Sequence, residues 1–190
     1  MINWEEIITD KTCCFIGPNE RERGMDTYGL VKKQIFKFVY DEGLMTYYFG
    51  NDGSFVNASY HAVRDVKKTH TNPPIKRILI PVVGQYRVID DESLECRQFM
   101  LDWKIPFGRR KIYDEIMEWE HEFDEADIAE EYRNYLLIDT CDVCMFYLED
   151  DASEDDPVRI AYNYAVSKNK RVINVYKKPK QKRTPKKVEN

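Results

Sequence analysis

Apolar residues recur along this chain in two rhythms. Short apolar-rich runs at about 12–16, 45–49, 75–83, 143–148 and 171–176 predict strands, and the continuous run Ile78 to Val83 is what a strand covered on both faces requires. Between them, apolar residues return every three or four positions. Tyr28, Val31, Ile35 and Phe38 predict a helix over about 25–43, closed by Gly43. Phe55, Ala58 or Ser59, Ala62 and Val66 form the inner stripe of a second helix, 54–69, with Ser54 as its expected N-cap. Thr71-Asn72-Pro73-Pro74 ends it. A third helix is expected from Asp127 to Asp139 with Ile128, Tyr132 and Leu136 as the apolar stripe on one side. A fourth runs from Pro157, a first-turn proline, to Asn169. Five strands alternating with helices predict an α/β fold. It is Rossmann-like and doubly wound, with a mainly parallel five-stranded sheet and helices on both faces.

One domain over 1–176 fits the length. Residues 84–112 break the alternation and read as an insertion or lid, with acids at 90–92 suited to the first turn of a helix reaching Trp103. Residues 1–11 read as a short leader.

Charge refines this picture. The formal net charge is −5, but residues 177–190 hold seven Lys/Arg and one Glu, leaving −11 on 1–176. The acidic body argues against a nucleic-acid face, and the basic tail, expected to be disordered, is the part suited to nucleic acid or an acidic partner. No apolar run approaches the roughly 20 residues of a membrane span, and no signal peptide is readable, so a cytoplasmic protein is expected. Five cysteines without a paired framework read as reduced thiols. Cys141-x-x-Cys144 has no second pair or spaced histidine, which favours structural thiols over a metal site.

Two strand ends carry candidate chemistry. Cys13 to Ile16 runs into Gly17-Pro18, and Tyr47-Tyr48-Phe49 runs into Gly50-Asn51-Asp52-Gly53-Ser54. A strand, a glycine turn and a helix place backbone N–H groups at a phosphate, and glycine permits positive φ and close backbone approach. Gly17, Pro18, Gly50, Asp52, Gly53 and Ser54 are therefore candidate ligand-binding residues. Arg133 could neutralise a phosphate and Asn134 could bond a sugar or base; the plainer alternative is a surface arginine paired with Glu130 or Glu131. Residues 149–156 bear six carboxylates, which repel a polyphosphate unless Mg²⁺ bridges them; a solvated loop is the plainer reading.

The order of these motifs resembles the SLOG superfamily, which joins the SMF/DprA proteins and the LOG phosphoribohydrolases, and within it the YpsA-like branch. The resemblance rests on Cys13 to Gly17, on Phe49 to Phe55, and on Tyr113-Asp114-Glu115-Ile116. It also rests on Arg133-Asn134 with Asp142 and the strand after it, and on Val172 to Val175. It implies a nucleotide-binding Rossmannoid that often pairs as a homodimer. Three features depart from it, the first being the opening turn, which reads Ile16-Gly17-Pro18-Asn19 in place of Thr-Gly-His-Arg. The LOG phosphate loop, Pro-Gly-Gly-x-Gly-Thr, is replaced by the glycine-free 150–157, and Asn163 stands where a catalytic glutamate is implied.

Three functions remain open. The first is a binding module for a nucleotide or nucleotide-derived small molecule, without fast turnover and with no assigned catalytic residue or metal. The second is a phosphoribohydrolase acting on a nucleoside monophosphate. The third is an interaction module with a degenerate pocket.

Overall fold

The computed structural model describes residues 11–18, 27–50, 53–80, 85–90, 93–100, 113–117 and 126–176. Residues 1–10 and 177–190 lie outside them, as do the readings of a leader and a basic tail. The strands of the main sheet are β1 (Thr12–Ile16), β2 (Thr46–Phe49), β3 (Lys76–Leu79), β6 (Glu115–Ile116), β7 (Val143–Phe146) and β8 (Arg171–Asn174). Among the described residues four helices accompany them: α1 (Thr27–Glu42), α2 (Ser54–Thr69), α3 (Ala126–Thr140) and α4 (Pro157–Ser167). The sheet order is β6-β3-β2-β1-β7-β8, and each pairing is parallel. The fold is the expected Rossmann-like one, with β6 as a sixth strand too short to show in the hydrophobic pattern.

β1 is central. Cys13 lies opposite Tyr47 on one side and Val143 on the other. Its side chains alternate between two cores, as the two-residue strand period requires. Cys13 and Phe15 join Tyr47, Phe49 and Met145 under Val31, Ile35 and Phe38 of α1 and Phe55 and Val63 of α2. Cys14 and Ile16 join Tyr48, Cys144 and Phe146 under Leu137 and Ile138 of α3 and Ala161 and Ala165 of α4. Phe15 stacks on Phe49 at 5.0 Å between ring centroids. The cysteines at 13, 14, 141 and 144 are buried and free, and burial pushes the Cys13 and Cys14 thiols up, away from the reactive thiolate. No helix among the described residues is long and apolar enough to cross a membrane.

Gly43 closes α1 with φ 68°, as expected. Two other expectations fail. No helix begins at Asp90. β4 (Gln85–Asp90) and β5 (Ser93–Met100) form an antiparallel hairpin, pairing Gln85 with Met100 and Asp90 with Ser93. Leu94 and Cys96 alternate with Glu95 and Arg97, the period of a strand, and this outweighs the helix-start signal of the acids. The stripe on α3 is also displaced by one position. Ile128 and Tyr132 are 43% and 51% exposed, while Ala129, Arg133, Leu137 and Ile138 face inward. A buried arginine interrupts the apolar stripe, so the pattern points to the wrong face.

The short edge strand β6 is held by one carboxylate. Asp114 accepts hydrogen bonds from Lys67 Nζ at 2.8 Å, from the Arg77 backbone N–H at 2.9 Å and from Arg77 Nε at 3.1 Å. Arg77 Nη1 reaches Tyr60 Oη at 3.0 Å. Partial burial alone would raise the Asp114 pKa. The bonds from Arg77 and Lys67 outweigh it and bring the pKa down to about 2, from an ordinary 3.8. A carboxyl depressed in the folded state adds stability above its unfolded pKa and loses it as pH falls through the folded value. The Asp114 contribution is therefore full above pH 4 and fades toward pH 2. Asp114→Asn is expected to cost about 1 kcal/mol at neutral pH, a modest value because a third of the side chain faces solvent. Thermal melts between pH 7 and pH 2 check this, since the variant and wild type should converge at the acid end.

Candidate functional site

The chain runs β1-β2-β3-β6 toward one edge, then returns past β1 to lay down β7 and β8. The order reverses between β1 and β7, and a crevice opens at their C-terminal ends, the usual ligand position in an open parallel sheet. A cleft of about 230 Å³ sits there. It is lined by Phe15 to Pro18 at the end of β1, Gly50 at the end of β2, and Val56 of α2. Glu130, Arg133 and Asn134 of α3 and Asp156, Pro157 and Val158 at the start of α4 complete it. A second cleft of about 390 Å³ adjoins it through Pro18, Asp156 and Val158 and adds Tyr147, Leu148, Glu149, Asp151 and Ala152.

The structure therefore brings together Gly17, Pro18, Gly50, Arg133 and Asn134 from three separate stretches of sequence. Gly53 and Ser54 open the adjacent helix α2, while Asp52 lies outside the described residues. Arg133 is 9% exposed, so the surface-arginine alternative does not hold. Its Nη2 donates to Asn134 Oδ1 at 3.2 Å.

The glycines serve their neighbours. A Cβ on Gly50 would stand 2.9 Å from Arg133 Nε and 3.1 Å from its Cζ, so the arginine stem crosses the strand end where a side chain would otherwise be. A Cβ on Gly17 would stand 2.6 Å from Cδ1 and 2.9 Å from Cβ of Phe55. Neither is a positive-φ residue, and Gly53 is extended at φ −170°. The expectation of positive φ in these turns is thus corrected: close packing selects Gly17 and Gly50.

The two helices that start at the crevice differ. The N-cap of α2 is Gly53, not Ser54, and no side chain caps it. The first bond of that helix runs from Asn57 N–H to Gly53 C=O at 2.8 Å, which leaves the N–H groups of Ser54, Phe55 and Val56 without acceptors in their own helix. The start of α4 is filled. Asp156 Oδ1 accepts from the N–H groups of Val158 at 2.8 Å and Arg159 at 3.1 Å. Asp156 therefore departs from the solvated-loop reading of 149–156.

Two residues reverse their expected importance. Glu130 lines the cleft with Arg133 and Asn134, and its i, i+3, i+4 spacing on α3 was the available signal. Asn163, the position of the implied catalytic glutamate, is an exposed residue of α4 and is not among those lining either cleft.

No protein-family model matches the chain, and no curated protein matches it. Solved structures do. DNA processing protein A from Helicobacter pylori, described for its single-stranded DNA binding mode, superposes at a TM-score of 0.51 with 11% identity. The alignment covers 88% of this chain and 66% of that one. DNA processing protein A (DprA) from Streptococcus pneumoniae superposes at 0.54 with 13% identity, over 88% of this chain and 50% of that one. The fold is shared with these two DNA processing proteins. The chain spans about two thirds of the first protein and half of the second.

Gly17→Ala should destabilise the protein by about 1–3 kcal/mol, because the fully buried Phe55 must shift to admit the added Cβ. Chemical denaturation checks this; an unchanged midpoint would mean that α2 can slide away from β1.

Proposed function

We propose that this chain is a binding module, of the YpsA-like type, for a nucleotide or nucleotide-derived small molecule seated in the crevice between β1 and β7. The observation that carries the reading is Arg133. A guanidinium held 9% exposed at a strand switch, across a glycine that has no side chain to obstruct it, is a preorganised anion partner. The uncapped first turn of α2 lies beside the same cleft through Val56 and offers backbone donors and the positive end of a helix dipole. Asn134 supplies an amide for a sugar or base. The two adjoining clefts together fall in the size range of small-molecule sites, about 300–1,000 Å³. An open cleft also speaks against the degenerate-pocket alternative.

Single-stranded DNA, bound by the Helicobacter pylori protein, is a poorer fit. Arg133 is the one cation among the described residues lining the clefts, against Glu130, Glu149, Asp151 and Asp156. A single-strand groove needs a basic track.

Glu130 favours a second reading, a phosphoribohydrolase. Breaking an N-glycosidic bond builds positive charge on the ribose, and a carboxylate on the same helix face as Arg133 could oppose it.

A thermal-shift panel of nucleosides and nucleotides tests the binding module. One or more should raise the melting temperature of the wild type. Arg133→Ala should abolish that rise, and Gly50→Ala should weaken binding about tenfold by displacing the guanidinium, roughly 1.4 kcal/mol. No rise with any of them, or a rise that survives Arg133→Ala, would refute the assignment. Release of free base at about 1 s⁻¹ or faster, lost in Glu130→Gln, would install the hydrolase instead.

A further inference from the structure

We propose that Asp156 sets the charge selectivity of this cleft: its carboxylate occupies the place at the start of α4 that a ligand's second anionic group would take, so the site accepts one phosphate, beside Arg133 and α2, and refuses another. The inference rests on the ligand site proposed above and assigns its specificity to one residue. Asp156 lines both clefts and is the acid at their junction whose bonding partners are backbone N–H groups. A carboxylate oxygen there satisfies the same donors that a phosphate oxygen would.

The residue is held firmly. Its own N–H bonds to Ser153 C=O at 3.2 Å, and its C=O accepts the Ile160 N–H at 2.9 Å. Behind it, Arg159 Nη2 reaches the carbonyls of Glu149 and Ala152, each at 3.4 Å, tying the acidic loop to α4. A phosphate entering from this side meets a fixed negative charge and finds its donors taken. A phosphate entering from the β2 side meets Arg133 and a helix start with no side-chain cap. The two helix starts beside one cleft are thus opposite in character, and the difference lies in Gly53 against Asp156.

The test is an amide NMR titration of the full chain with inorganic phosphate and with pyrophosphate. In the wild type, both probes should shift the amides of Ser54 to Val56 with similar affinity, and those of Val158 and Arg159 should stay still. Asp156→Gly keeps an acceptable N-cap while removing both the charge and the acceptor. In that variant the Val158 and Arg159 amides should respond, and pyrophosphate should bind at least tenfold more tightly than it does to the wild type. Asp156→Asn keeps an acceptor and drops the charge, so it should gain less than the glycine variant but still several-fold. Pyrophosphate affinity unchanged from wild type in a folded Asp156→Gly, or in Asp156→Asn if the glycine variant does not fold, overturns the proposal. Unmoved amides at 54–56 in every protein would refute the ligand site itself, and a response confined to 158–159 in the variant would leave the role of Asp156 standing without it.

Discussion

β1 has no face left for water. Cys13, Cys14, Phe15 and Ile16 are each buried, two toward one helical layer and two toward the other, with parallel partners on both edges. A strand in that position requires helices above and below it. It also makes the chain reverse direction beside it, because β2 and β7 must both arrive as neighbours. The crevice at its C-terminal end follows from that reversal. Gly17 completes the arrangement by letting Phe55 close against the strand end, which fixes where α2 begins.

The crevice has a consequence for charge. Burying an arginine is costly unless its donors are engaged, and a cation in such a place commonly marks a site rather than a scaffold. Arg133 reaches the cleft from α3, passes over Gly50 and bonds Asn134. Around it the acids are placed unequally. Glu130 shares its helix face, and Asp156 is consumed by the start of α4. Glu149 and Asp151 line the neighbouring chamber. This geometry suits a compact ligand with a localised negative charge and a body rich in hydrogen-bond donors.

Much of the frame is legible in the sequence because its signals are local. Apolar-rich runs mark the strands, Pro157 marks the start of α4, and Gly43 marks the end of α1. What escapes is what depends on distant partners. The inward face of α3 is hidden because Arg133 occupies a position where an apolar residue is expected. The glycines announce a turn, but their reason, Phe55 and Arg133, lies elsewhere in the chain. Ser54 has the chemistry of an N-cap, yet the helix starts at Ser54 itself, with Gly53 before it. Asp156 is lost among five other carboxylates of its loop until its two N–H donors are seen. Glu130 looks like surface charge until α3 is turned by one position. Motif order alone assigns the glutamate's place to Asn163, but its exposure removes it from the site.

The central claim is that Arg133 holds a nucleotide-type ligand in the β1–β7 crevice. The most direct measurement is mass spectrometry of small molecules released on denaturing the purified wild type, set beside the same extract from Arg133→Ala. The account predicts a phosphorylated, base-containing compound in the wild-type extract that is missing from the variant. The same compound in equal amounts from both proteins would contradict it, as would a wild-type extract holding no such compound together with an unliganded cleft that binds none from a nucleotide panel.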